Sequence, residues 1–481
     1  MEQKVLALYE FASKQKFIYK TSKIKEISGA SELLSNLFEE FIKLANNIIY
    51  DTETEFDINK FTADGQVLYD GGGSLMILFQ STDLYLDFNR ITSKYLLENV
   101  PTLRLIACSV PFSGDFIKDR CRLYRQIRIN ESLNPSYDLV AVTPMTQIDP
   151  MTFLPVVKKE VFQSSVETTK KTELSLSSDR ACKQKAYKDY VDTNEFDLEN
   201  LDGWAAVIYI DGNSMGKKLL DCIDSDYNQG VNKLRNFSKN VNRVFVDEPL
   251  EKMKEVVGCS ENKGFRQVIG GGDEITIICD AKIALTLVEI YFDKLIKSNA
   301  DLKEEDKNYA CAGIAVFHAK APFTVPYEIA EAACESAKER AHKTNGNYLD
   351  FYFCHAGITS DFKTLRKREQ RVTARPYSYE DAIKNFKNYA PLLQQAGRSN
   401  VKALGDAAQL GKSEYLFEAE RVNSYLEKES FLITDDSKTE NKDKKTPLET
   451  EMSIIYDMSE FYDLWFGKES AYDAKANENR A

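Results

Sequence analysis

Several features that mark other classes of protein are scarce in this sequence of 481 residues. Its nine cysteines are scattered and never form a Cys-x-x-Cys pair, which argues against a disulfide framework or a cysteine zinc site and for a reducing cytoplasm. The most apolar stretches, such as WAAVIYI at 204–210, are far too short to span a bilayer, so we expect no membrane partner. The start, MEQKVLALYEF, lacks the basic leader and long apolar run of a signal peptide.

A surplus of positive charge is also missing, since the formal net charge is −12. A chain this acidic lacks the basic surface expected of a free-standing duplex binder, but it can still bind nucleotides where magnesium supplies positive charge. The three histidines (His318, His342 and His355) show no ligand spacing, and we interpret them as structural or surface residues. The apolar content of 43% is that of a folded soluble chain, and the length predicts about three domains.

The sequence does contain an internal repeat. The strand pattern KVLALYEFAS, which carries Glu10, is matched by GWAAVIYIDGNS, which carries Asp211. Each is followed by a strand pair with three glycines, QVLYDGGGSLMILFQ at 66–80 and RQVIGGGDEITIICD at 266–280, and then by another apolar strand. The matched order predicts two tandem copies of one α+β module. The order strand, helix, hairpin, helix, strand, helix is that of a ferredoxin-like or palm module, an antiparallel sheet with helices on one face.

The two copies differ at the hairpin. Aligning their triple glycines places Ser74 opposite Asp273 and Leu75 opposite Glu274. Serine and leucine cannot hold a metal there, and Glu10 alone is a poor ligand set. We therefore predict that the first copy is degenerate and that the second copy carries the chemistry.

The other segments are distinguished by composition. The connecting segment is rich in Ser, Thr and Lys, which predicts partial disorder or a hairpin. The last helix is apolar on one face, so it either docks back on the protein or contacts a partner. The basic run RKREQRVTAR (366–375) is interpreted as a solvated face, with contact to RNA or a partner as the alternative, and LGKSE (410–414) as a helix connection. The predicted domains are a degenerate first palm at 1–145, a connecting segment at 146–198, a catalytic second palm at 199–357, a helical domain at 358–434, a flexible linker at 435–450, and a C-terminal helix and tail at 451–481.

Asp211, Asp273 and Glu274 are the candidate chemical groups. A buried strand delivers Asp211 to its carboxyl end, Gly212 allows a sharp turn, and a helix begins near Ser214, where backbone N–H groups form an anion site suited to phosphates. On a regular strand Asp273 and Glu274 point to opposite faces, so only one need face Asp211 unless the turn brings both round.

Carboxylates packed together repel unless a cation lies between them. Hard oxygen ligands and phosphate chemistry favour Mg²⁺ or Mn²⁺, and the arrangement is that of two-metal phosphoryl transfer. A GGDE hairpin by itself is more often an acidic turn. Its pairing with Asp211 inside a repeat whose other copy lacks the acids favours a metal–nucleotide site.

Several motifs together resemble one family. IDGNSMGK, GGGDE and CAGIAVFHAKAPF with an Ala-rich helix ending in ESAKERA resemble the second palm domain of the large polymerase/cyclase subunit of type III CRISPR effector complexes. SKQKFIYKTSKIKEISGASELL resembles that subunit's first, degenerate palm, and RPYSYEDA with SNVKALGDAAQLGKSEY is similar to its C-terminal helical domain. The resemblance covers roughly residues 1–430. It implies that the second palm, assisted by the first, joins ATP into cyclic oligoadenylates that activate downstream effectors in antiviral defence.

The resemblance also implies roles for individual residues. Asp211 and Asp273 would be metal ligands, and Glu274 stands where the family usually has a second Asp; these three are the predicted catalytic and metal-binding residues. Lys338 matches a basic position that can reach the triphosphate. The predicted nucleotide-binding residues are Gly212, Asn213, Ser214, Met215, Gly216, Lys217, Gly271, Gly272 and Lys338.

The chain also departs from the family pattern. Asn213 stands where the family commonly has an acid, and the sequence shows neither a His-Asp pair nor the cysteine zinc site, so we expect a reduced form without the histidine-aspartate nuclease domain. The expected substrate is ATP or another NTP, while an RNA or protein-subunit trigger, a downstream effector and the oligomeric state are left open. Two alternatives remain. One is a diguanylate-cyclase-like enzyme, although Ile275 replaces the Phe of its GGDEF signature. The other is a catalytically silent palm scaffold that binds RNA, nucleotide or a partner subunit.

Overall fold

The structure is a computed structural model that divides into two compact units. Unit 1 comprises Met1–Thr193 and Ser214–Arg243, and unit 2 comprises Asn194–Asn213 and Val244–Ala481. These units do not follow the predicted domain boundaries, because the residues directly after the first strand of the second copy belong to unit 1. The residues that the structure describes are 3–20, 23–100, 102–133, 158–160, 174–176, 178–190, 201, 203–257, 264–354, 362–369, 371–426, 432 and 447–467.

Unit 1 has a five-stranded sheet in the order β2-β3-β4-β1-β5, with a separate antiparallel pair, β6 and β7. In the sheet, β1 is antiparallel to β4 and β5, and β2 is parallel to β3. The strands are β1 (Val5–Ala12), β2 (Ile48–Ile49), β3 (Gly65–Gly71), β4 (Ser74–Phe79), β5 (Arg104–Pro111), β6 (Lys158–Glu160) and β7 (Leu174–Leu176). The helices are α1 (Lys14–Ile18), α2 (Ile24–Leu44), α3 (Thr82–Asn99), α4 (Phe116–Leu133), α5 (Ser178–Tyr190), α6 (Met215–Cys222) and α7 (Tyr227–Asn242).

The first strand of unit 1 is buried on both faces, which explains its nearly continuous apolar sequence. On one face, Leu6 and Leu8 pack in a core that includes Tyr227 of α7. On the other, the ring of Phe11 stacks on that of Phe38 of α2 with their centroids 4.6 Å apart. Alternating side chains of a strand point to opposite faces, so helices cover both sides of this sheet, and the predicted arrangement with helices on one face is wrong for unit 1.

The connecting segment contributes a packed helix, α5, that its composition did not indicate. The expected hairpin there is present as the β6–β7 pair. A Cβ atom at Gly29 of α2 would lie 2.1 Å from the Lys183 carbonyl oxygen of α5, so the two helices cross at backbone contact distance. Lys183 is buried and donates to the Phe17 carbonyl oxygen at 2.5 Å.

Unit 2 has a six-stranded sheet in the order β13-β12-β11-β8-β10-β9. In it, β8 is antiparallel to β10 and β11, while β11 and β12 are parallel. The strands are β8 (Trp204–Gly212), β9 (Phe265–Gly271), β10 (Glu274–Asp280), β11 (Ala310–His318), β12 (Tyr348–Phe353) and β13 (Tyr377–Ser378). The helices are α8 (Glu248–Val257), α9 (Ala284–Ser298), α10 (Thr324–Thr344), α11 (Phe362–Glu369), α12 (Tyr379–Ala396), α13 (Arg398–Leu410), α14 (Lys412–Asn423) and α15 (Pro447–Glu460).

The predicted tandem repeat is confirmed by the strand order. The order β3-β4-β1-β5 in unit 1 matches β9-β10-β8-β11 in unit 2. Both hairpins have an irregularity at the same place, where Leu68 and Val268 are skipped in the pairing. Bulges of this kind are specific features of a sheet, so their agreement supports two copies of one module.

The C-terminal part is helical, as predicted, and the turn that follows its last helix docks back within unit 2. The indole of the buried Trp465 donates to the Ala281 carbonyl oxygen at 2.8 Å. The interpretation of 366–375 as a solvated face is wrong for Arg366 and Arg375. Arg375 has no exposed side-chain surface and pairs with Asp457 and Glu460 of α15 at 2.9 and 2.8 Å, and Arg366 pairs with Asp350 of β12 at 2.5 Å.

The remaining expectations concern smaller features. Gly411 links α13 to α14, so LGKSE is a helix connection as predicted. Among the described residues, the eight cysteines are all free thiols. No helix within the described ranges combines the length and apolar character needed to cross a bilayer. The predicted linker at 435–450 lies largely outside the described residues, as does His355.

Candidate active site

The β9–β10 hairpin closes with a two-residue turn, Gly272-Asp273. Gly271 and Glu274 are the last paired residues before it. Gly272 has a φ of +66°, which a residue with a side chain rarely adopts, whereas Asp273 is not among the residues with positive φ. A positive φ at the first central position alone is typical of hairpin turns with glycine there. Only the third glycine of the GGGDE motif is therefore required by this turn.

The register brings Glu274 to Asp211. The two are directly opposite on β10 and β8, so their side chains project from the same face of the sheet. Tyr209, two residues before Asp211 on that face, hydrogen-bonds Glu274. Glu274 therefore lies on the same face of the sheet as Asp211, which answers the question that the sequence left open.

Asp273 is positioned at the end of β8 by contacts with Gly212 and not by strand pairing. The Gly212 N–H donates to the Asp273 carbonyl oxygen at 3.1 Å. A Cβ atom at Gly212 would lie 2.8 Å from the Asp273 Cβ and 2.9 Å from its Oδ2, so the carboxylate lies against this glycine. The turn thus brings Asp273, as well as Glu274, close to Asp211, and glycine at 212 makes room for it.

Burial and the charge of Asp211 disfavour ionisation of the Asp273 and Glu274 carboxyl groups. Burial, and then the charge of Asp211, raise the pKa of Asp273 to about 6, against an opposing effect of Lys338. Burial, followed by Asp211, Glu331 and Asp273, raises the pKa of Glu274 to about 7. Half-buried carboxylates that repel in this way are relieved by a bound cation, and their oxygen donors suit a hard divalent ion.

Lys338 supplies positive charge at this cluster. From α10, its ammonium group donates to Asp211 Oδ2 and, at 3.2 Å, to Glu335 Oε1. The Lys338 side chain is 16% exposed and that of Asp211 is 22% exposed. Across the described ranges, no three His, Cys, Asp or Glu side chains are grouped so that they could hold a metal ion by themselves. The residues present fit an ion of the Mg²⁺ type, which is commonly bound by one or two carboxylates with water and substrate phosphates completing its shell.

The predicted phosphate loop begins at the end of β8. The Asn213 N–H donates to the Tyr309 carbonyl oxygen at 2.8 Å, and its side chain reaches the Gly346 carbonyl oxygen at 3.4 Å. Ser214 has a φ of +62° and precedes α6. Added Cβ atoms at Gly216 and Gly271 would meet nothing within 4 Å, so packing does not require glycine at either place. Residues Ser214, Met215, Gly216 and Lys217 belong to unit 1, and their part in the site stays a prediction.

The register in unit 1 corrects the alignment of the two hairpins. Ser74 pairs with Glu10 and donates to its carboxylate at 3.0 Å, just as Glu274 pairs with Asp211. Ser74 is therefore the counterpart of Glu274, not of Asp273. Matching the triple glycines shifted the alignment by one residue, because only the strand pairing defines which turn positions are equivalent.

With that correction, Gly73 is the counterpart of Asp273 and Phe11 that of Gly212. In unit 2 the Asp273 carboxylate lies against Gly212, whereas in unit 1 the counterpart of Asp273 has no side chain and the counterpart of Gly212 is an aromatic residue. Lys14 also lies over the unit 1 hairpin, where its ammonium donates to the Gly72 carbonyl oxygen at 2.5 Å. The first copy thus lacks both hairpin acids.

Sequence reasoning missed Tyr209 and Glu331, which act on Glu274. Tyr209 could have been found by strand alternation, since it lies two residues before Asp211. Glu331 lies seven residues, or two helical turns, before Lys338 and so shares its helix face. Neither residue carries a motif by itself.

The chain was compared with known proteins. Residues 204–346 match the family described as Cas10/Cmr2, second palm domain. No curated protein matches the chain in sequence. The crystal structure of a Csm1-Csm4 cassette in complex with cA4 has a TM-score of 0.59 and 14% identity over 95% of this chain and 69% of that chain. The Csm1-Csm4 subcomplex of the type III-A CRISPR-Csm interference complex gives 0.60 and 13% over 95% and 70%.

At these identities the structural likeness shows the fold, which is the predicted pair of tandem palm domains followed by a helical domain. The family match is confined to the part of the chain that carries Asp211, Asp273 and Glu274. The chain is therefore Cas10-like: its residues 204–346 match the Cas10/Cmr2 second palm domain, and its fold is similar to that of the Csm1-Csm4 structures.

Proposed function

We propose that the chain is a metal-dependent nucleotidyltransferase that joins ATP into a cyclic or linear oligonucleotide messenger in antiviral defence. The observation that carries the proposal is the cluster of Asp211, Asp273 and Glu274 at the end of β8, in the copy that matches the Cas10/Cmr2 second palm. Structures of similar fold include Csm1-Csm4 with AMPPNP and with pppApA. Those ligands are the kinds of substrate and intermediate that such an activity needs.

In the proposed reaction, a ribose hydroxyl of one nucleotide attacks the α-phosphorus of another. The new P–O bond forms as the bond to pyrophosphate breaks, and the hydroxyl proton leaves to water. Asp211 and Asp273 would hold a divalent ion, with Glu274 beside them. When bound, such an ion lowers the pKa of the hydroxyl and neutralises charge on the triphosphate. Lys338 would bind the phosphates, because its ammonium already lies at this carboxylate cluster.

The proposal is tested by incubation with each NTP and Mg²⁺, with pyrophosphate release and chromatography of products as readouts. Asp273→Ala should lower turnover by more than the roughly 10- to 100-fold that loss of an outer-shell partner costs a metal site. Ser74→Ala, in the hairpin of the first copy, is the control and should keep most activity. Absence of pyrophosphate with every NTP, with and without RNA, would refute the proposal, and so would full activity of Asp273→Ala.

A silent nucleotide-binding scaffold is the second candidate. It is favoured by Asn213, which stands where an acid is expected, and by the lack of a three-ligand cluster in the described residues. Thermal denaturation with ATP and Mg²⁺, combined with the product assay, separates the candidates: a bound ligand at 100 times its Kd stabilises either one by about 2.7 kcal/mol, but only the enzyme forms product. Stabilisation without product would indicate the scaffold. Product from GTP alone would instead indicate a diguanylate-cyclase-like enzyme.

A further inference from the structure

Lys338 occupies a position at Asp211 that a metal ion would need. Its ammonium donates to Oδ2 of the carboxylate that ends β8, and both side chains are mostly buried. A carboxylate oxygen engaged in a charge-assisted hydrogen bond cannot offer the same lone pair to an ion. An ammonium group in hydrogen-bond contact with Asp211 also repels a divalent cation that approaches the same carboxylate.

Lys338 also has a second carboxylate within reach. Glu335, one turn earlier on α10, accepts from the same ammonium at 3.2 Å and is 59% exposed. The lysine side chain has a flexible four-carbon stem. The ammonium can therefore leave Asp211 while keeping Glu335, or exchange both for an anionic group that enters the cluster.

We propose that Lys338 is a tethered counterion that holds the place of the metal at Asp211 and is transferred to the phosphates when a metal–nucleotide complex binds. This rests on the proposed function and adds an order of events to it. The ion alone binds poorly, because Lys338 must be displaced without a new partner. The triphosphate provides that partner, so metal and nucleotide bind cooperatively.

The coupling is reciprocal, because each ligand must favour the other by the same factor. Lys338 itself has opposite effects on the two affinities, because its positive charge repels the ion and attracts the phosphates. It opposes the free ion and favours the nucleotide. A residue that merely stabilised the fold would not change the two affinities in opposite directions.

The test measures Mn²⁺ binding to the full chain by electron paramagnetic resonance, without nucleotide, in wild type and Lys338→Met. The variant should bind the ion about tenfold more tightly or better, since a positive charge beside Asp211 is gone. In a separate titration, it should bind an ATP analogue with a non-cleavable α–β linkage more weakly than wild type. Lys343→Met, an exposed lysine on the same helix, removes the same charge and should change neither affinity.

Unchanged or weaker Mn²⁺ binding by Lys338→Met would overturn the inference. Lys338→Gln gives the same readout if the methionine variant does not fold. Lys338→Arg retains the charge and should bind the free ion as poorly as wild type. Adding Asp211→Asn to Lys338→Met should abolish the gain, and if it does not, the ion binds elsewhere and the metal site of the proposed function fails instead.

Discussion

Mutations at Gly212 and Asp273 should have coupled effects on stability, because the missing side chain of Gly212 leaves the space that Asp273 occupies. A methyl group at Gly212 would lie 2.8 Å from the Asp273 Cβ, closer than real Cβ contacts, and 3.0 Å from the ring of Phe245, which is tighter than most. The φ of Gly212 lies outside the left-handed region, so alanine adds no backbone strain there. Overpacking of this kind costs about 1–3 kcal/mol.

The perturbation is therefore Gly212→Ala, made with Asp273 present and with Asp273→Gly. The second background imitates the first copy, in which Gly73 is the counterpart of Asp273. Gly212→Ala should destabilise unit 2 by about 1–3 kcal/mol with Asp273 present and by clearly less with Asp273→Gly. The difference between the two costs is the coupling energy, and it should lie in the range found for residues in contact. Both tryptophans, Trp204 and Trp465, lie in unit 2, so their fluorescence during urea denaturation reports this unit.

Equal costs of Gly212→Ala in the two backgrounds would refute the reasoning, because the methyl group would then not meet Asp273. Activity is a second readout of the same variants. Gly212→Ala alone should lower turnover by displacing Asp273 from Asp211. The double variant should recover stability without recovering activity, since it restores space but not the carboxylate.

Two further predictions concern unit 1. Arg235 donates to the carbonyl oxygens of Val67, Leu68 and Thr54 at 2.7–2.9 Å. Arg235→Met leaves these acceptors unpaired and should lower the free energy of unfolding by about 3 kcal/mol or more, measured by calorimetry. An unchanged unfolding transition would contradict this. Burial alone would raise the pKa of Asp119, but hydrogen bonds from its partners outweigh it and the pKa lies below the ordinary 3.8. A lowered pKa adds stability that is present above about pH 4 and is lost as the pH falls through the lowered value, so Asp119→Asn should flatten the acid limb of a stability–pH curve.

The repeat and the candidate acids could be predicted from the sequence because they depend on local pattern. Apolar strand runs, a glycine-rich hairpin and their order along the chain specify two palm modules. Asp211 at the end of one strand and Asp273-Glu274 at the next hairpin are recognisable from the residue types and their spacing. The helical character of the C-terminal part follows from its apolar period in the same way.

Pairing across long sequence separations needed the tertiary structure. The one-residue shift between the hairpins is invisible in the sequence, because both contain three glycines and only strand register shows that Ser74 matches Glu274. The ion pair between Lys338 and Asp211 joins residues 127 positions apart. Arg375 is part of a basic run in the sequence but a buried partner of α15 in the fold.

The sequence by itself determined which residues could do chemistry, and the fold decided which of them meet. Residue type and local period are properties of a short segment, so they identify Asp211, Asp273 and Glu274 as candidates. Whether Glu274 turns toward Asp211 depends on the β8–β10 register, and room for Asp273 depends on Gly212 across the sheet. Such contacts are specified only when distant segments pack, and no single segment contains them.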